Sequence, residues 1–187
     1  QVLKGQISIR TLKQTWAAYR PALGGATSRG RGIADFSARV RESIQFEAES
    51  ILALTQDRSW IGTSTSARCV VLHNVNDNEH RLQYDGLAMV QKTLESPVEI
   101  HIFELYSRVG IGPTDHLESP QDYVDFCWLV LPEEEANSLR LTKKTTYGVL
   151  GLNDGKINIH HQAEKVKHEH AEAEPFMREL LKLALRN

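Results

Sequence analysis

Tyr84-Asp85-Gly86-Leu87-Ala88-Met89-Val90, a polar gap, then Val98-Glu99-Ile100-His101-Ile102-Phe103-Glu104-Leu105-Tyr106-Ser107 is the stretch on which the fold turns. Both runs are short, apolar and rich in β-formers, and Ser96-Pro97 interrupts them, so they predict two strands over 81–90 and 98–106 joined as a hairpin. Side chains alternate along a strand, which puts Val98, Ile100, Ile102, Glu104 and Tyr106 on one face and Glu99, His101, Phe103 and Leu105 on the other. Glu104 therefore ends a mostly apolar face, where an uncompensated charge is costly.

Upstream, Ala67 to His73 predicts a further strand, closed by the turn-forming cluster Asn74-Val75-Asn76-Asp77-Asn78-Glu79. The three strands are expected to be antiparallel neighbours. Before them, Ile33, Phe36, Val40, Ile44, Ala48, Ile51 and Leu52 recur at helical spacing and predict the longest helix, from 33 to about 55, with Glu47 on its inward stripe. The start of the chain carries a short amphipathic helix over Thr11–Arg20, stopped by Pro21, and then a glycine-rich basic loop that holds Arg29 and Arg31.

Downstream, Ser119-Pro120 reads as an N-cap followed by proline at the first helical position. Phe126 to Leu131, closed by Pro132, reads as a buried strand, and Tyr147–Leu152 with Lys156–His160 as a hairpin around Asn153-Asp154-Gly155. Ala163 to Arg186 is expected to form a final helix.

Composition bounds the function. The 187 residues suit one core; 41% hydrophobic and 25% charged residues exclude a disordered chain. No apolar run is long enough to span a bilayer and no signal-peptide order is present, so a soluble, cytoplasmic protein without a membrane partner is expected. Position 1 is Gln, which leaves room for upstream sequence. The formal charge of −2 does not announce a nucleic-acid binder, so any affinity for phosphate must be local. Cys69 and Cys127 sit inside apolar runs as packing thiols, and His160, His161, His168 and His170 lack the four converging ligands of a zinc site.

The order of long helix, three strands, short helix and buried strand, together with Asp85, Glu104 and the passage Gln121-Asp122-Tyr123-Val124-Asp125-Phe126-Cys127-Trp128-Leu129-Val130-Leu131-Pro132, resembles the PD-(D/E)XK phosphodiesterase superfamily. The passage from Gln121 to Pro132 is similar in particular to MmcB-type DNA-repair proteins and related small nucleases, and Tyr147-Gly148-Val149-Leu150-Gly151-Leu152 with Gly155-Lys156-Ile157 resembles the hairpin that often closes these domains. The resemblance covers about 33 to 159 and implies an α/β, restriction-endonuclease-like αβββαβ core with a mixed central sheet flanked by helices. It divides the chain into an N-terminal helix and loop (1–32), a nuclease-like core (33–162) and a C-terminal helix (163–187).

The resemblance also implies a chemistry. Phosphodiester hydrolysis uses a hard divalent cation held by oxygen ligands. Asp85 and Glu104 would bind Mg2+ or Mn2+, with Glu47 as a supporting ligand, in a DNA nuclease of repair, restriction or defence. The family's lysine, two residues after the glutamate, is Tyr106 here; either Tyr106 or a lysine from elsewhere would help orient the attacking water, although a phenol is a poor substitute. Lys92, Lys143 and Lys144 are the candidate replacements, and Arg29, Arg31 and Lys92 the candidate contacts to nucleic acid. Losing the lysine equally suits a catalytically degenerate member of the fold that binds nucleic acid or a partner subunit, or pairs as a homodimer. For each residue a structural role competes: Asp85-Gly86 as a turn, Glu104 as an exposed strand end, Glu47 as an ion-pair residue, the arginine loop as a linker. An unrelated α/β interaction module is the third possibility.

Overall fold

The computed structural model describes residues 29–62, 67–77, 82–107, 117, 123–141 and 145–167. It is an α/β fold. Helix α1 (Arg29–Gln56) and a 3-10 turn (Ser59–Ile61) precede β1 (Arg68–Asp77), β2 (Leu82–Gln91), β3 (Glu99–Leu105) and β4 (Phe126–Pro132). A short helix α2 (Glu133–Ser138) then leads to β5 (Gly148–Asn153) and β6 (Lys156–His161). The six strands lie in one sheet in chain order. β2 runs antiparallel to its neighbours β1 and β3, as expected, β3, β4 and β5 run parallel, and β6 returns antiparallel.

Alternation on β3 divides the core as its sequence requires. Ile100, Ile102 and Tyr106 join Leu87, Met89, Cys127, Leu129 and Val149 on one face. Phe103 and Leu105 join Trp60, Ala88, Val90, Trp128 and Val130 on the other, which α1 covers through Phe46, Ala53 and Leu54. Helical period places the inward stripe of α1 at Val40, Phe46, Glu47, Ser50, Ala53 and Leu54, not at Ala48 and Leu52, which is 56% exposed. The expected stripe was displaced by about one residue because Phe46 and Leu54, with more area to bury than alanine, set the rotation of the helix.

Four further expectations are corrected. The helix begins at Arg29 rather than Ile33, so the backbone at Arg29 and Arg31 is helical and not a loop; glycine is cheapest in a first turn, whose N–H groups have no intrahelical acceptor anyway. This start also crosses the boundary placed at 32/33. β1 runs on to Asp77 through the cluster expected to turn, because pairing with β2 supplies the ladder bonds that override local turn preference. No helix begins at Ala163: residues 162–167 are irregular, with Glu164 N–H donating to the Thr146 carbonyl (2.8 Å) and Val166 N–H to the Asp125 carbonyl (2.9 Å). Finally, α2 had no counterpart in the sequence reading. The proposed helices at 11–20 and near 120, the side chains of Arg29 and Arg31, Lys143, Lys144 and residues 168–187 lie outside the described residues.

The closing hairpin turns as its sequence dictates: Asp154 (φ 48°) and Gly155 (φ 73°) supply the two positive φ angles of a tight two-residue turn. Where β5 begins to pair with β4, at Gly148 opposite Trp128, a Cβ on Gly148 would meet the Trp128 ring and would lie 2.7 Å from the Ala163 nitrogen. Trp128 is fixed by its bond to His101 and its packing on Trp60. Gly148→Ala is therefore expected to lower stability by about 1–3 kcal/mol or more, as overpacking does; a chemical melt with an unchanged midpoint would contradict this close fit.

Candidate functional site

The site read from the sequence lies where β2 and β3 part. Their pairing ends at Gly86 and Phe103, so Asp85 and Glu104 are the next opposed positions. On the other side of β2, His73 pairs with Gly86 and Val75 with Tyr84, which sets Asn74 opposite Asp85. One row across three strands thus reads Asn74, Asp85, Glu104.

Regular alternation fails in this row. His73 faces α1, 3.5 Å from Glu47, while Val75, two residues on, packs on the opposite face. Gly86 likewise sits under Ile51 of α1, while Tyr84 packs on the opposite face and shares a 3.4 Å hydroxyl contact with Tyr123. The cause is Asn74, whose left-handed backbone (φ 52°) slips the pleat by one residue. Asp85, at the slip, turns toward β3, and its Oδ2 accepts the Leu105 N–H at 3.0 Å.

Asp125, which the sequence reading passed over as a site residue, does the same at the other end of β3. Its Oδ2 accepts the Ile100 N–H at 2.9 Å, and Lys165 Nζ lies 3.7 Å from Oδ1. Two buried aspartates therefore bracket β3 and satisfy its terminal amides, a structural task that Asp85 performs whatever else it does. The available signal for Asp125 was its place directly before the apolar run of β4.

Glu104 is fully buried, and Asp85 is 2% exposed. Burial pushes the Glu104 carboxyl up to about 8. Glu104 in turn adds to the burial that lifts the neighbouring Cys127 thiol to about 12. Two acids in opposed positions inside a sheet repel when both are ionised, and a proton or a cation between them relieves that repulsion. Tyr106, on the same face as Glu104, is 5% exposed and packs in the cluster that contains Leu117, Val124 and Tyr147.

The remaining candidates do not converge on this row. Glu47 is buried on the α1 side with His73, so the supporting role read for it is taken by a contact between helix and β1. Lys92 sits just past the far end of β2, roughly 23 Å from Asp85 at about 3.3 Å per residue. There it holds Glu99 (2.9 Å) and lies over Phe126. That end carries its own buried polar group: Trp128 Nε1–H donates to His101 Nδ1 at 3.0 Å, which leaves the ring proton on Nε2, 3.7 Å from Glu99. Burial pushes His101 down and keeps it neutral, and although burial opposes ionisation of Glu99, the facing His101 and Lys92 draw its carboxyl down to about 2.

No three His, Cys, Asp or Glu side chains among the described residues form a set that would hold a metal ion by themselves. Mg2+, however, commonly takes one or two carboxylates and completes its shell with water and substrate phosphate. As donor chemistry, the hard oxygens of Asp85 and Glu104, joined by the buried amide oxygen of Asn74, fit such an ion. Neither carboxylate lines the cleft of about 530 Å³ between α1 and the ends of β3 and β4, which is bordered by Arg41, Glu42, Phe46, Glu49, Ser107 and Pro132. An adjoining hollow adds Glu133, Glu134 and Glu135, so this side of the molecule repels a phosphate backbone. No helix among the described residues is long and apolar enough to cross a membrane.

No family model matches the chain, and no curated protein matches it significantly. Among solved structures, the chain is similar to the SPO1766 protein of unknown function from Silicibacter pomeroyi, at 16% identity over 76% of this chain and 82% of that one, with a TM-score of 0.49.

Proposed function

We propose that this chain is a restriction-endonuclease-like protein acting on DNA phosphodiesters with Mg2+ or Mn2+. The observation that carries the proposal is the opposed placement of two buried acids, Asp85 and Glu104, where β2 and β3 part. Burial perturbs Glu104, and acids perturbed in this way cluster at functional sites; a cation would offset the repulsion between the two carboxylates when both are ionised. The order of elements supports the same fold: a long helix, three antiparallel strands and a buried strand parallel to the third. Asp85 and Glu104 would hold the cation, which when bound polarises the phosphate and supplies hydroxide near neutral pH. Asp85 also keeps the end of β3 in place through Leu105.

A second reading, a catalytically degenerate member of the fold that binds nucleic acid or a partner subunit, is favoured by the burial of Glu104 and Tyr106. One experiment separates the two. Supercoiled plasmid and single-stranded DNA are incubated with the chain, Asp85→Asn and Glu104→Gln in Mg2+ or Mn2+. Asn at 85 keeps an acceptor for the Leu105 N–H, so the fold is retained while a charge is removed. Metal-dependent cutting by the parent and its loss in both variants supports the enzyme. Absence of cutting, with a DNA mobility shift that weakens as salt rises, supports the degenerate binder.

A further inference from the structure

We propose that Asn74, rather than Glu47, supplies the third oxygen of the acid pair's cation site; the inference rests on the cation-binding reading of Asp85 and Glu104. Three observations on β1 meet at this residue. It lies opposite Asp85 in the strand register, so it extends the row of Asp85 and Glu104 across a third strand. It holds a left-handed backbone in the middle of a strand, bracketed by ladder pairs at His73 and Val75. Its Oδ1 is buried and, among the described residues, has no hydrogen-bond partner.

A left-handed asparagine alone is ordinary, because its short side chain tolerates that conformation. Such a residue normally bonds to its own backbone or to water, whereas an amide oxygen buried without a donor is costly and calls for an explanation. A hard cation provides one: it accepts neutral carbonyl oxygens beside carboxylates, and a neutral amide adds no third negative charge to the acid pair. Glu47 is the weaker candidate, since it faces His73 on the side covered by α1.

The test is calorimetric titration of the full chain with MnCl2 at pH 8.5, using the parent, Asn74→Gly, Asn74→Asp and Asp85→Asn. Glycine accepts the φ of 52°, so it removes the side chain with its oxygen and leaves the backbone unstrained. Asn74→Gly is expected to bind Mn2+ about tenfold or more weakly, and Asn74→Asp more tightly than the parent, since a carboxylate replaces a neutral amide oxygen. Binding unchanged in Asn74→Gly but lost in Asp85→Asn overturns this inference and leaves the acid-pair reading standing. A parent that binds no Mn2+ removes both. Should Asn74→Gly fail to fold, Asn74→Asp decides: tighter Mn2+ binding than the parent supports the role, and unchanged or lost affinity overturns it.

Discussion

Glu104→Gln is expected to melt above the parent at pH 8 and close to it at pH 4.5. The folded chain holds the Glu104 proton up to about pH 8, against 4.5 for the ordinary carboxyl. Between those values the folded state binds a proton that the unfolded state has released, so stability falls as pH rises through the window and levels off above it. At about 1.4 kcal/mol per pKa unit the loss reaches a few kcal/mol. Glutamine keeps the shape without the charge, although its amide must find acceptors, so a net gain of about 2–4 kcal/mol at pH 8 is expected. The same proton competes with any cation: affinity for Mn2+ should rise about tenfold per pH unit below pH 8 and flatten above it. Thermal melts of both proteins from pH 4.5 to 9, with and without Mn2+, check this. A parent whose melting temperature does not change across the window would show that Glu104 is not held protonated, and stabilisation of Glu104→Gln by Mn2+ equal to that of the parent would remove the residue from the cation site.

Much of the sheet was legible because its signals are local. The two faces of β3 follow from alternation alone, and the β5–β6 turn follows from Asp154-Gly155, since few other pairs accept two positive φ angles. The slip at Asn74 was not legible, since Asn74-Val75-Asn76-Asp77 carries every mark of a turn, and only pairing with β2 keeps it extended. That slip decides the site: it turns Asp85 toward Leu105 and moves Val75 and Tyr84 to the face opposite α1. The placement of Glu47 shows a second limit. Periodicity correctly put it on the buried side of α1, but a helix wheel does not say which strand it will meet, and it met His73. Asp125 escaped notice because an aspartate at a strand start is common, and its value lies in a contact with Ile100, distant in sequence.

Tyr106→Lys is expected to raise Mn2+-dependent DNA cleavage by about 100- to 10,000-fold, the range usual for a positioned acid or base. The substitution restores the residue that the family resemblance calls for, on the same β3 face as Glu104 and two residues beyond it. Introduced alone into this apolar cluster, an ammonium would lower stability by several kcal/mol. Glu104 changes that balance: its carboxyl, now pushed up to about 8 by burial, would ionise beside a cation and pair with it. The variant should therefore lose less stability than the same ammonium would without an ionised partner, and the steep decline of stability between pH 4.5 and 8 should shrink, because each group now holds the other in its charged form. Plasmid nicking in Mn2+ and melts across pH give the two readouts, with Tyr106→Lys combined with Glu104→Gln as the control that leaves the ammonium unpaired. A folded Tyr106→Lys that binds Mn2+ and cleaves no faster than Asp85→Asn would mean that geometry, not one missing amine, stops the chemistry; the row would then stand as an acid pair retained in a binding protein.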